Sequence, residues 1–142
     1  MKLKTLLVVC ILSLCGILTT SLGAQTLSAR FNVPFDFVVA GKTLPAGAYA
    51  IGLAAEMTGV VKIQSVDAHK VIYALTHNGA NVPAKNDATL VFHRYGDRYY
   101  LAEVTKAGAA APALDLPKSK AEVEAAKIAM QPVETLTLVA MR

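Results

Sequence analysis

Leu90-Val91-Phe92-His93-Arg94-Tyr95 and Arg98-Tyr99-Tyr100-Leu101 are two runs of aromatic and branched residues separated only by Gly96-Asp97. A two-residue loop with glycine first suits a type II′ turn, whose twist matches the strands it joins. The turn sets the register: Arg94 faces Tyr99, His93 faces Tyr100 and Phe92 faces Leu101. A chain with this hairpin at its centre is expected to build antiparallel sheet around it.

The remaining pattern agrees, with a period of two broken by turn signals. Phe31, Val33, Phe35 and Phe37 alternate with polar residues or proline, and Pro34 puts this strand at an edge or a bend because it cannot donate to a ladder. Residues 41–47 read as a loop, with Pro45 setting the turn and Gly47 closing it. Tyr49, Ile51 and Leu53 then share one strand face, and Val61, Ile63 and Ser65 share another. Val71, Tyr73 and Leu75 are expected to point inward on the next strand. Residues 78–83 and the alanine-rich residues 107–113 read as loops.

One helix is expected, starting at Ser119. Ser119 and Glu122 have the spacing of a capping box, in which each side chain covers the other's backbone amide. Residues 121–130 favour helix, with Val123, Ala126 and Met130 on one side, and Gln131-Pro132 stops it. Alternation returns from Val133 to Met141 as a final strand pairing back into the sheet. The reading is a mainly β chain, an antiparallel β-sandwich or small barrel of seven or eight strands with one short helix near the C-terminus. It has no βαβ alternation, which argues against a nucleotide-binding α/β sheet.

Residues 1–23 have a different character. Lys2 and Lys4 precede an apolar run from Thr5 to Leu18, which fades into small residues, with Ser21 and Gly23 suited to a peptidase. This is the layout of a secretory signal peptide cut after Gly23, leaving a single domain of residues 24–142 in the periplasm or outside the cell. The run is too short for a lasting membrane span, which needs about 20 apolar residues. Leu14 before Cys15 does not fit a lipoprotein signal. Cys10 and Cys15, the two cysteines of the chain, leave with the signal, and thiol chemistry leaves with them. Losing Lys2 and Lys4 from fourteen basic residues leaves twelve against ten acidic ones, a net of +2. Those charges are scattered, so nucleic acid is not an expected partner.

Residues arranged for chemistry are few. His69, His77 and His93 have no metal-ligand spacing, no Gly-x-Ser-x-Gly elbow is present, and Ser28, Ser65 and Ser119 lack an evident base. Asp36 and Asp97 are candidate paired carboxylates, but they read better as a polar strand face and a turn residue. Glu122 and Glu124 read as a solvated helix start that complements the helix dipole. His93 reads as partly buried and stacked on Tyr100. No enzyme, cofactor or metal is expected.

The densest polar-aromatic group is Arg94, Tyr95, Arg98, Tyr99 and Tyr100 at the hairpin tip, where a cell-envelope carbohydrate or protein has the residue types it needs to dock. The competing reading is structural, with arginine stems packed over rings. The leading expectation is therefore a non-enzymatic exported protein that binds or supports something in the envelope. The alternative is a carrier, a closed barrel with Phe31, Phe35, Phe37, Tyr73 and Phe92 around a cavity of about 300 Å³ or more. A small hydrolase using Asp36, Asp97 or His93 ranks third.

Four stretches together, residues 31–37, 44–49, 90–101 and 116–119, resemble a group of small exported bacterial proteins of unassigned function. The resemblance covers most of the domain and implies a secreted β-rich fold. It supplies no activity and no catalytic residue.

Overall fold

Alternating apolar residues along the chain assemble into two sheets whose inner faces meet. The computed structural model describes residues 28–129 and 133–141. The signal-peptide reading of residues 1–23, Met130 on the helix and the Gln131-Pro132 stop lie outside the described residues. Eleven strands occur among the described residues, more than the seven or eight expected, together with one helix. The first sheet has the order β1 (Ser28–Val33), β4 (Gly47–Leu53), β5 (Val60–Ser65) and β6 (Val71–Leu75). The second runs β11 (Glu134–Val139), β8 (Thr89–Tyr95), β9 (Arg98–Thr105), β10 (Ala111–Asp115) and β7 (His77–Val82). Two short strands, β2 (Phe37–Val39) and β3 (Lys42–Leu44), pair with each other, and β2 runs parallel to the start of β9. The sheets do not close into a barrel, so the sandwich alternative holds. They are stitched at one side, where the Met141 amide donates to the Arg30 carbonyl at 2.8 Å.

The central hairpin has the register its turn demands, with Arg94 opposite Tyr99, His93 opposite Tyr100 and Phe92 opposite Leu101. Gly96 supplies the turn with a φ of 60°, a left-handed value that favours glycine. Pro34 does end a ladder. β1 stops at Val33 in one sheet and the chain resumes at Phe37 in the other, so the expected single strand is a corner between layers. The Asp36 carboxylate holds this corner by accepting from the Ala46 amide at 2.9 Å.

Three stretches read as loops contain strands. β3 lies within residues 41–47, and β7 and β10 pair with each other through residues such as Ala111 and Val82. The segments of β7 and β10 are mostly small or polar and that of β3 is only three residues long, so none shows an alternation to read, and pairing with a partner strand defines them. The phase of β6 is also reversed. Ile63 pairs with Ile72 and Val61 with Ala74, so Ile72 and Ala74 are buried while Val71, Tyr73 and Leu75 are exposed. Every residue of this strand is apolar, so alternation selects no face and the partner strand decides.

The core is one cluster drawn from both sheets, with Phe31, Val33, Val61, Leu90 and Phe92 wholly buried. Each such side chain contributes about 1.5–3 kcal/mol by leaving water. Its two ends are filled differently. Beneath the hairpin, Phe92 meets Phe35 and Phe37 edge-on at 5.2 and 5.5 Å, and Phe37 meets Tyr49 at 5.2 Å. At the opposite end the facing positions are Ala29, Gly52, Ala88, Ala107 and Ala140, which leave space.

Candidate functional site

The sheet divides the Arg-Tyr cluster at the hairpin tip. Successive strand residues point to opposite faces, so Arg94 and Tyr99 share the core-side face and Tyr95, Arg98 and Tyr100 share the outer one. On the core side, Phe35 stacks on Tyr99 at 3.9 Å and 17°, and the Arg94 guanidinium lies 5.5 Å from the Tyr99 centroid. Arg94 also donates to the Gly96 carbonyl at 2.8 Å and to Glu134 at 3.0 Å. These contacts occupy Arg94 and Tyr99 within the fold. Arg98 remains exposed beside a cleft of about 280 Å³ that includes Asp36, Asp97, Tyr99 and Tyr100.

Tyr95 and Tyr100 are buried beneath α1 (Lys120–Ile128), which covers the outer face. The Tyr100 hydroxyl donates to the Ala121 carbonyl at 3.4 Å, and the Tyr95 hydroxyl donates to Glu122 at 3.4 Å. Glu122, expected in solvent, is 4% exposed and lies 3.1 Å from Nδ1 of His93. Half of the capping box is present, with the Glu122 amide donating to Ser119 Oγ at 3.2 Å. The Glu122 carboxylate reaches His93 and Tyr95, so the helix turns this acid inward and leaves Val123 exposed. Burial first, and then the Glu122 charge, hold the Tyr95 hydroxyl above its ordinary 10.0, while Lys118 opposes them.

His93 and Glu122 also line a cleft of about 300 Å³ with His77, Glu103, Asp115 and Lys118. Asp115 faces Glu103 on one side and His77 on the other. Its carboxylate leans over Gly79, where a Cβ atom would collide with it. Among the described residues, no three of His, Cys, Asp and Glu stand close enough to hold a metal ion. Asp36 caps the corner at Ala46 and Asp97 sits in the hairpin turn, so each has a local structural place.

An apolar opening lies elsewhere, between the sheets at the end remote from the hairpin tip. It is a cleft of about 310 Å³ whose walls include Phe31, Ile51, Leu53 and Val61 from one sheet and Val104 and Leu114 from the other. Small side chains create the space: Ala29, Ala88, Ala107 and Ala140 stand where larger groups would meet. Thr105, 1% exposed, lines it too, but its hydroxyl is taken up by the amide and hydroxyl of Thr89. Its exposed lining residues, Ser28, Asn86, Lys106 and Met141, mark the mouth, and the segments carrying Asn86 and Lys106 are tied together because the Lys85 amide donates to Gly108 at 3.2 Å and the Gly108 amide donates back at 2.8 Å.

Of the aromatic residues expected around a carrier cavity, Phe31 lines this cleft. Phe35, Phe37 and Phe92 pack together at the other end, and Tyr73 is 52% exposed on the outer face of β6. The alanines that open the cleft are more than a hundred residues apart at their extremes, and nothing local in the sequence marks them as neighbours. Comparison with protein-family models, with curated proteins and with solved structures found no match.

Proposed function

We propose that this chain is an exported, non-enzymatic β-sandwich that holds a small apolar ligand between its sheets, in the periplasm or outside the cell. The observation that carries the reading is the 310 Å³ apolar cleft at one end of a core whose other end is filled by rings. Close-packed interiors hold few voids larger than a water molecule, and ligand sites begin at about 300 Å³. Export rests on the residue pattern at positions 1–23. The experiment is a fluorescence titration with the neutral dye N-phenyl-1-naphthylamine. Saturable uptake with one site is expected, and it is lost in Ala29→Phe and in Ala140→Phe, which fill the cleft beside the seam where the sheets are stitched. Uptake that survives in both folded variants contradicts the reading.

A second reading keeps the hairpin tip as a seat for an envelope carbohydrate or protein. The observation favouring it is Arg98, exposed and with a guanidinium that makes no hydrogen bond or ion pair among the described residues. Arg98→Ala then weakens binding to solubilised cell-wall glycan and leaves dye uptake unchanged. Equal glycan binding by both proteins removes this reading.

A further inference from the structure

We infer that the ligand of the inter-sheet cleft is an anionic amphiphile, an alkyl chain ending in a carboxylate whose head lies at Lys106. This rests on the proposed function and adds the ligand's chemistry. The cleft of about 310 Å³ is roughly twice the 150 Å³ of a cavity that takes benzene, so it suits about ten to twelve carbons. Its interior offers a polar head nothing, because the buried Thr105 hydroxyl is already paired with Thr89. A head group therefore stays at the mouth.

Two ionisable residues line that mouth, Asp87 and Lys106. Asp87 is already engaged within the protein. Lys106 is exposed, and its ammonium makes no hydrogen bond or ion pair among the described residues. A second exposed cation, Lys85, stands on the loop that is bonded backbone to backbone with the Lys106 loop. The mouth thus presents an available positive charge above an apolar slot, which complements a carboxylate on an alkyl chain. An exposed ion pair of this kind is worth up to about a fivefold gain in affinity and is screened by salt.

Calorimetric titrations of the purified protein with decanoate, decanol and decylamine test this. Decanoate is expected to bind about fivefold more tightly than decanol, with decylamine weakest. Lys106→Gln brings decanoate to the affinity of decanol and leaves decanol unchanged, and added salt weakens decanoate alone. Equal affinities for decanoate and decanol, or tighter binding of decylamine, overturn the head-group assignment while the apolar cleft stands. Failure of all three to bind overturns the cleft reading itself.

Discussion

Nδ1 of His93 stands 3.1 Å from Oε1 of Glu122, joining β8 to the first turn of α1. The Glu122 side chain is 5% exposed and His93 28%, so the acid depends on this partner more than the imidazole does. His93→Ala leaves a buried carboxylate with the Tyr95 hydroxyl and is expected to cost about 2–3 kcal/mol. Glu122→Gln, which keeps an acceptor oxygen, costs less than about 1 kcal/mol. Urea unfolding of both variants checks the order. Equal costs contradict the clasp.

Two of the buried tyrosines, Tyr49 and Tyr95, set an alkaline limit. Tyr95 is held above its ordinary 10.0 by burial and Glu122, and Tyr49 by burial and then by Asp36 and Asp67. In both, the folded state binds the proton more tightly than the unfolded chain does. The stabilisation is therefore complete below pH 10 and is lost as pH rises through the folded value. Thermal melts from pH 8 to 11.5 should fall steeply above pH 10, with Tyr49→Phe and Tyr95→Phe each flattening the decline. A decline as steep in both variants as in the parent protein would place its cause elsewhere.

The face that β6 turns inward is open to direct measurement. Ile72 is 4% exposed and Tyr73 52%. Ile72→Ser is expected to cost about 2–4 kcal/mol, through lost burial and an unpaired hydroxyl, whereas Tyr73→Ser stays within about 0.5 kcal/mol. The reverse order in chemical denaturation would restore the opposite phase.

Gly79 is required by its neighbour more than by its own backbone. A Cβ there collides with the Asp115 carboxylate, so Gly79→Ala is expected to cost about 1–3 kcal/mol. Adding Asp115→Ala recovers most of that loss. A double variant no more stable than Gly79→Ala would show that the crowding is not with Asp115.

The hairpin was legible in the sequence because one turn fixes its register residue by residue. The mainly β class and the helix start at Ser119 followed from local signals as well, whereas the choice of sandwich over barrel came from the strand pairing. Three features were not legible, for one physical reason. The pairing of β7 with β10, the phase of β6 and the inward turn of Glu122 all depend on a partner distant in the chain. The site follows the same rule. Arg94, Tyr95, Arg98, Tyr99 and Tyr100 are adjacent in sequence, yet the sheet sends them to two faces. The alanines that open the cleft are scattered, yet the fold brings them together.

The proposed ligand seat lies between the sheets, at the end remote from the hairpin. Amide chemical shifts of the isotopically labelled protein, followed during a titration with decanol, test it most directly. Shifts are expected to concentrate at Ala29, Leu53, Ala88, Thr105 and Ala107, with Arg98 and Tyr99 unmoved. Shifts concentrated at the hairpin tip, or no saturable shifts at all, would contradict it.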